Sequence, residues 1–556
     1  MAPPHLSQNL TLCFARGSQP TPIIATSTRP AHIPKNHILI VVDRFGFSAN
    51  NVTYQALGEH PHYRYFDFHA PPTTSSPTSI SPKTHGVVPV WGFGTVIASS
   101  LSLPPSLSKF QVQVGERLYG YLAPTRYLLV EIDPKDVNKY AMYVPREYLP
   151  PDRRPYNQFI RCSTDPVYRV PIPSSSPPLT LSEIEDLIML YRPLFWTSFW
   201  AEDWIWWEGW YGDREAGAQA VSRGSGSYND EHNEDNLTFL ISSASSKTAF
   251  CFAYCVGKRV GRGSTLSGNG KRGKGKVTLI GLTSPKNLEF TKRLGLYDEV
   301  WSYERFGSES NANGNAGQGQ GQGKWIYIDV LGSSSLNARV YKHFESPYMG
   351  EMVLGVSLGM SSASPTSMTT TSSASSTSGG IGSGILDPKG GSTMSMSMGM
   401  SAGSTQGGKG KSIYPPKLES FFTPEWLEIR RARCIGVNPS ISTPMSTSGG
   451  ASGGTSGGTK TMTLQEYNKA FHETQKVAWE GLMRNCVKVP WVRIERVYNG
   501  GGGVNENKIK DSYEHIAKEG IPADRGLIWS MWSGEGDVGC VVGEAVREAV
   551  REGAKL

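Results

Sequence analysis

The sequence predicts an α/β fold in which a doubly wound parallel sheet is joined to a β-rich domain and interrupted by long inserts. Three observations predict it. Leu237 to Val256, LTFLISSASSKTAFCFAYCV, passes from a short apolar run through small residues into a second apolar run with helical spacing. Lys276 to Thr283 (KVTLIGLT), Trp325 to Val330 (WIYIDV) and Glu351 to Gly355 (EMVLG) follow as β-rich runs, with helix-like segments such as Asn287 to Leu294 between them. The N-terminal part carries several further β-rich runs. Strands that alternate with helices point to a parallel sheet covered on both faces.

Taken in order, Asn9 to Ala15 and His37 to Asp43 read as strands and as a first pair. Pro, Ser and Thr between and before them give a faint transit-peptide composition, and the prolines argue against an amphipathic helix there. Phe45 to Gly58 is a loop or short helix holding Asn50, Asn51 and Tyr54. Val87 to Ser99 is a strand whose two glycines predict a bulge or close backbone approach. Val112 to Leu122 turns at Gly115-Glu116 into another strand. His60, His62 and His69 read as a surface loop.

Tyr191 to Gly212 carries six tryptophans within fifteen residues. Trp196, Trp200, Trp204 and Trp207 fall on one helical stripe, either a packed interdomain helix or an aromatic wall beside a flat substrate. Leu237 to Ile241 is a buried strand, and Lys247-Thr248 opens a helix. A helix start has free N–H groups and partial positive charge, so this turn can hold a phosphate. No GxGxxG is present, and serines and an alanine stand where glycines would leave room for a pyrophosphate. Lys247-Thr248 also resembles the end of a phosphate-binding P-loop that lacks its glycines. Thr423-Pro424 starts a helix, and Leu464 to Met483 is an amphipathic helix with Tyr467, Phe471, Val477, Ala478 and Leu482 as its apolar side. Trp491 to Val497 is a strand, Ile509 to Ala517 a helix, and Val541 to Ala549 a helical tail.

Composition bounds the function. Of 556 residues, the Ser/Thr/Gly/Met run from 357 to 410, the similar run from 440 to 460 and the Gly/Asn/Gln run from 307 to 323 bury too little apolar surface to offset chain entropy. The net charge of +7 is matched by seven basic residues within 257–276, a Gly-rich stretch without aromatics, which does not point to nucleic acid. Seven scattered cysteines read as an intracellular, reduced protein. No run is long enough for a membrane span. The chain ends Ala554-Lys555-Leu556, a variant of the Ser-Lys-Leu peroxisomal address, so cytoplasm and peroxisome are both expected.

WGFGTV and VGERLYGYL resemble the strand-turn pattern of the medium-chain dehydrogenase/reductase superfamily, quinone-oxidoreductase branch. VDRFGFSANNVTY, VPVWGFGTVIAS, YNQFIR, LYRPLFWTSF, ISSASSKTA and GLTSPKN together resemble the DUF2855 family, a divergent offshoot of it. The resemblance implies a GroES-like barrel domain over 1–190, a Rossmann domain over 191–435 with inserts at 257–276, 307–323 and 357–412, a disordered linker over 436–462, and a segment 463–556 that rejoins the first domain. Where zinc-dependent members carry His and Glu before the glycine pair, this chain has Val90 and Trp91, and it lacks a four-cysteine zinc lobe. Cys251 and Cys255 lie four apart on one helix and read as core, so no metal is expected.

The cofactor expected is NADPH. GLTSPKN follows the second strand without an acid, and Thr283, Ser284 and Lys286 suit a 2′-phosphate, although Ser-Pro is also an ordinary helix start. Ser243, Ser245, Ser246, Lys247 and Thr248 are the candidates for the pyrophosphate, and Asp329 and Gly355 for the carboxyl edge of the sheet. Thr197 resembles the threonine that superfamily members place near the nicotinamide. For catalysis, which needs a hydrogen-bond donor to polarise an acceptor carbonyl or alkene, Tyr54 is the first candidate because ANNVTY resembles the N-x-x-D/Y region that lines the reductase pocket. Asn51 is the candidate to position it or to bind substrate, and Tyr156 is a second candidate. Trp200 and Arg161 are the substrate-binding candidates, Arg161 for an acidic group. The reading is a metal-free reductase of an activated C=C or a quinone, acting on a small molecule with no nucleic acid or membrane, and with a homodimer as the oligomer considered. The alternative is a catalytically silent relative that binds a nucleotide or a protein partner.

Overall fold

The computed structural model describes residues 4–17, 21–61, 63–74, 79–168, 179–208, 236–261, 277–304, 323–345, 350–358, 416–435, 462–488, 491–499 and 507–553. The tail at 554–556, His62, Trp210 and most of the three inserts and the linker lie outside them.

The first part of the chain forms β1 (Gln8–Ala15), β2 (Pro22–Thr28), β3 (His37–Phe47), α1 (Ala49–Ala56), β4 (His85–Gly86), β5 (Val90–Ser99), β6 (Arg117–Leu122), β7 (Tyr127–Glu131), β8 (Ala141–Tyr143) and β9 (Gln158–Arg161). The expected pairing of β1 with β3 is not made. β1 pairs antiparallel with β2 and β4, whereas β3 pairs with β5 and β7. The Pro-rich stretch supplies the missing strand, because Pro22 is its first residue, a position that needs no ladder N–H. Gly92 and Gly94 let β5 lie close on β3. A Cβ on Gly92 would stand 2.6 Å from the Arg44 carbonyl oxygen, and one on Gly94 2.5 Å from Ile40 Cγ2. The β3–β5 register shifts on both sides of Gly94.

Next comes α2 (Leu181–Trp207), a helix that starts well before the tryptophans, so a boundary at 190/191 falls inside it. Its start is a capping box: Glu183 N donates to Thr180 Oγ1, and Thr180 N donates to Glu183 Oε2 at 2.8 Å. One end of α2 packs on β3 and β5.

Its other end packs on the second unit: β10 (Leu237–Ile241), α3 (Lys247–Arg259), β11 (Val277–Thr283), α4 (Leu288–Arg293), β12 (Glu299–Ser302), β13 (Lys324–Asp329), α5 (Ser334–Phe344), β14 (Glu351–Ser357), β15 (Leu418–Ser420) and α6 (Thr423–Ile435). The spatial order is β12-β11-β10-β13-β14-β15, all parallel, which is 3-2-1-4-5-6 in chain order and therefore the Rossmann arrangement. α3 continues through Arg259, so the start of the basic stretch is helix.

α7 (Leu464–Lys488), β16 (Arg493–Tyr498), α8 (Lys508–Glu519), β17 (Arg525–Ser530) and α9 (Glu535–Gly553) complete the chain. β17 pairs antiparallel with β3, so the C-terminal segment closes into the eight-stranded sheet of the N-terminal part. On α7, Tyr467, Trp479, Leu482 and Met483 are buried, whereas Val477, read as part of the apolar side, is 59% exposed. The six described cysteine side chains are free thiols, and only Cys540 is exposed. Among the described residues no helix is long and apolar enough to cross a membrane.

Candidate active site

A narrow cleft of about 30 Å³ lies between the two units, lined by residues of β3, α1, β5 and α2 and by Lys247 at the start of α3. α1 begins where Ser48 N donates to Asn51 Oδ1 at 2.9 Å, while Asn51 Nδ2 donates to the Pro89 carbonyl at 3.3 Å. Asn51 is therefore a buried fastener of α1 to the strand beside it, and it brings Tyr54 to the cleft wall one turn later. Tyr54 stacks on Tyr65, with ring centroids 4.3 Å apart. Burial, and then Tyr156 nearby, push the Tyr54 hydroxyl well above the usual phenol range. Opposite stand Met189, Leu190, Pro193 and Leu194 of α2, brought close because Gly46 has no Cβ: one there would meet the Met189 carbonyl oxygen at 3.0 Å. A wider open recess of about 460 Å³ at Gly115, Arg117, Cys162 and Tyr168 holds none of the expected site residues.

The serine turn after β10 is internally fastened. Ser242 Oγ donates to Asp329 Oδ1 at 2.9 Å and accepts from Val330 N and Leu331 N. Ser243, at φ +51°, holds the left-handed conformation that glycine would take without cost, and its N–H donates to the Tyr303 hydroxyl at 3.1 Å. Ser245 Oγ accepts from Thr283 Oγ1 and Asn287 Nδ2, both at 3.2 Å. Ser246 caps α3 by accepting from Ala249 N. Lys247 Nζ donates to the carbonyl of Arg525, the first residue of β17, at 2.8 Å. These contacts engage the serine side chains and Lys247 within the fold. Lys247 and Thr248 begin α3, whose N-terminal turn has main-chain N–H groups without helical acceptors.

Asp329 is buried and saturated, accepting from Ser242 Oγ, Gly332 N and Asn337 Nδ2, so its carboxylate braces the loop after β13. Gly355 is explained by packing, since a Cβ there would lie 2.5 Å from the Tyr341 hydroxyl. Thr197 Oγ1 donates to the Pro193 carbonyl inside α2. At the tip of β11, Thr283 is buried, Lys286 is exposed, and Ser284 Oγ is buried with no hydrogen-bond partner among the described residues.

Two expected substrate residues lie outside the cleft. Arg161 is paired with Glu116, Nη2 to Oε2 at 2.9 Å, and donates from Nη1 to the Phe110 carbonyl at 2.7 Å. Trp200 is only 2% exposed, stacked on Phe471 of α7, and belongs to the core. Tyr156 sits behind the cleft, 6.0 Å from Trp91 and 5.3 Å from Tyr121 between ring centroids. His69 is buried, not on a surface loop; burial, and then the Arg146 charge, lower its pKa to about 3. No group of three or more His, Cys, Asp or Glu among the described residues is placed to hold a metal ion. Trp91 lines the cleft and Tyr303 closes the serine turn, and both were missed. The Val90-Trp91 departure from the zinc pattern pointed to the first, and no spacing marks the second.

A family model described as "Protein of unknown function (DUF2855)" matches residues 45–433. No curated protein matches. Among solved structures, the chain is similar to CurA from Vibrio vulnificus (10% identity, 94% of this chain and 98% of that one, TM-score 0.38). It is also similar to a mutant form of enoyl thioester reductase from Candida tropicalis (10%, 94% and 99%, TM-score 0.42). A third is a putative NADPH:quinone reductase from Bacillus thuringiensis (10%, 94% and 99%, TM-score 0.36).

Proposed function

The chain belongs to the DUF2855 family, and from that starting point we propose that it is a metal-free, NADPH-dependent reductase of an activated C=C or quinone-type substrate. The observation that carries the reading is the cleft itself, which puts Tyr54 on one wall and the start of α3 on another, beside a Rossmann-order sheet. The dinucleotide, when bound, supplies the hydride. The main chain at the start of α3 would hold its pyrophosphate, and Ser284 and Lys286 its 2′-phosphate. Tyr54, kept protonated by burial, donates a hydrogen bond to the substrate oxygen as negative charge develops there. Asn51 positions Tyr54 through α1, and Trp91, Pro193 and Leu194 keep the cleft poor in water.

Tyr54→Phe is expected to lower kcat by about 100-fold with little change in KM, as for loss of one donor to a developing oxyanion. Steady-state kinetics test it, and a change confined to KM would reassign Tyr54 to substrate binding. Lys286→Glu places a like charge at the 2′-phosphate and should weaken NADPH at least ~10-fold relative to NADH. Titration of the purified protein with both, followed by tryptophan fluorescence, reads that ratio; an unchanged ratio removes the phosphate assignment. The fastened serine turn favours the second reading, a silent relative, and the absence of quenching by either dinucleotide would select it.

A further inference from the structure

We propose that Tyr303 is an intramolecular plug of the dinucleotide crevice, an autoinhibitory contact in which its phenol takes the main-chain donor that a phosphate or ribose oxygen takes when a nucleotide binds. Such a plug rests on the dinucleotide site of the reductase reading and is independent of hydride transfer.

Topology puts the ring there. Tyr303 follows Ser302, the last residue of β12, and its N–H donates to the Thr283 carbonyl at the tip of β11 at 3.0 Å. The spatial order is β12-β11-β10, so a side chain that starts after β12 and reaches the turn after β10 crosses the carboxyl end of β11. The Tyr303 side chain makes that crossing, and its hydroxyl accepts from Ser243 N at 3.1 Å. In an open sheet of this order a dinucleotide lies along the carboxyl ends beside the first strand, with its ribose at the end of the second. The half-buried ring stands in that path, and its main-chain carbonyl accepts from Arg339 Nη1 on α5 at 2.9 Å.

The contact suits a plug better than a permanent brace. Ser243 sits at φ +51°, and a left-handed residue in a tight turn aims successive N–H groups into one concavity, an anion-binding arrangement. The turn opens directly onto α3, a 13-residue helix whose N-terminus favours negative charge. Tyr303 brings a neutral oxygen to it, because burial pushes its hydroxyl up to about 12 and keeps the proton on at neutral pH. A hydrogen bond to a phosphate oxygen is roughly twice as strong as one to a neutral oxygen, so the ligand displaces the phenol. The turn keeps its shape without it: Tyr297 Oη donates to the Ala244 carbonyl at 2.9 Å, and Ser242 and Ser245 are bonded within the fold. A plugged crevice raises the apparent Kd by the inverse of the fraction of molecules in which the ring has left.

The test is calorimetric titration of the full chain with ADP, which carries the ribose and the pyrophosphate without the nicotinamide. Tyr303→Ala is expected to bind ADP at least ~10-fold more tightly than the unaltered protein, the factor for a crevice that is open in about a tenth of molecules. Tyr303→Phe keeps the ring's packing and loses only the hydroxyl, so its affinity should lie between the two, and it serves if the alanine variant does not fold. Tyr297→Phe loosens the same turn without clearing the crevice and should show no gain. Equal ADP affinity in the unaltered protein and the Tyr303 variants overturns the proposal, as does an equal gain in Tyr297→Phe or a lack of binding by all of them. A gain in ADP affinity without any NADPH-dependent turnover keeps the plug and removes the reductase reading, whereas turnover without a gain does the reverse.

Discussion

Arg44→Ala is expected to destabilise the folded protein by about 3–5 kcal/mol, the range for removing one partner from a buried ion pair. Arg44 has 4% of its side chain exposed and lies between Glu185 and Asp186 at the start of α2, themselves 3% and 1% exposed. Its Nη2 reaches Glu185 Oε2 at 3.1 Å, and its Nη1 reaches Asp186 Oδ1 at 2.9 Å and Ser182 Oγ at 2.6 Å. Arg117 of β6 pairs with Glu185 and Asp43, and Arg496 of β16 pairs with Asp186 and Glu535. Three strands from distant parts of the sequence are thus tied to one helix. The alanine leaves carboxylates whose charge only two arginines then offset, and burial already raises the Asp186 pKa. Urea unfolding of the variant tests this. A loss below ~1 kcal/mol would mean that Arg117 and Arg496 neutralise the site by themselves, as in an exposed pair. Arg44→Lys should fall between, because an ammonium lacks the planar fork that spans both acids.

Trp200→Ala is expected to cost about 3–5 kcal/mol, as for other buried aromatic truncations, while leaving KM for a small substrate unchanged. The Trp200 ring stacks on Phe471 at 5.1 Å with a 7° interplanar angle, meets Phe199 edge-on at 4.7 Å, and lies under the Arg430 guanidinium at 5.3 Å. Removing it opens a cavity where α2, α6 and α7 meet. A variant of native stability with a raised KM would return Trp200 to the substrate wall. Arg430 is itself anchored by Asp203, Nε to Oδ2 at 2.9 Å, so the tryptophan stripe acts as a cage for a cation the chain supplies.

Much of the fold was legible because it rests on local patterns. Short apolar runs rich in aromatic and β-branched residues, such as LTFLI and WIYIDV, read as buried strands, and small residues between a strand and an apolar helix mark a tight turn. Their alternation implies a parallel sheet, and the observed strand order is the Rossmann one. The β1–β3 pair failed because strand partners are a non-local choice, and a strand began at Pro22 in a stretch whose prolines hid it.

Of the candidate site residues, Asn51, Tyr54 and Lys247 line the cleft. The sequence by itself determined which residue types stand at the turn after β10, at the tip of β11 and on α1, and so named Lys247, Ser284 and Tyr54. Only the tertiary structure decided what each one does there. Lys247 faces a carbonyl 278 positions away in sequence, Asp329 is saturated by Ser242 and Asn337, and Arg161 is held by Glu116. The physical reason is that backbone periodicity sets where a side chain starts, whereas its charge state and contacts follow from the distant segment that packs against it.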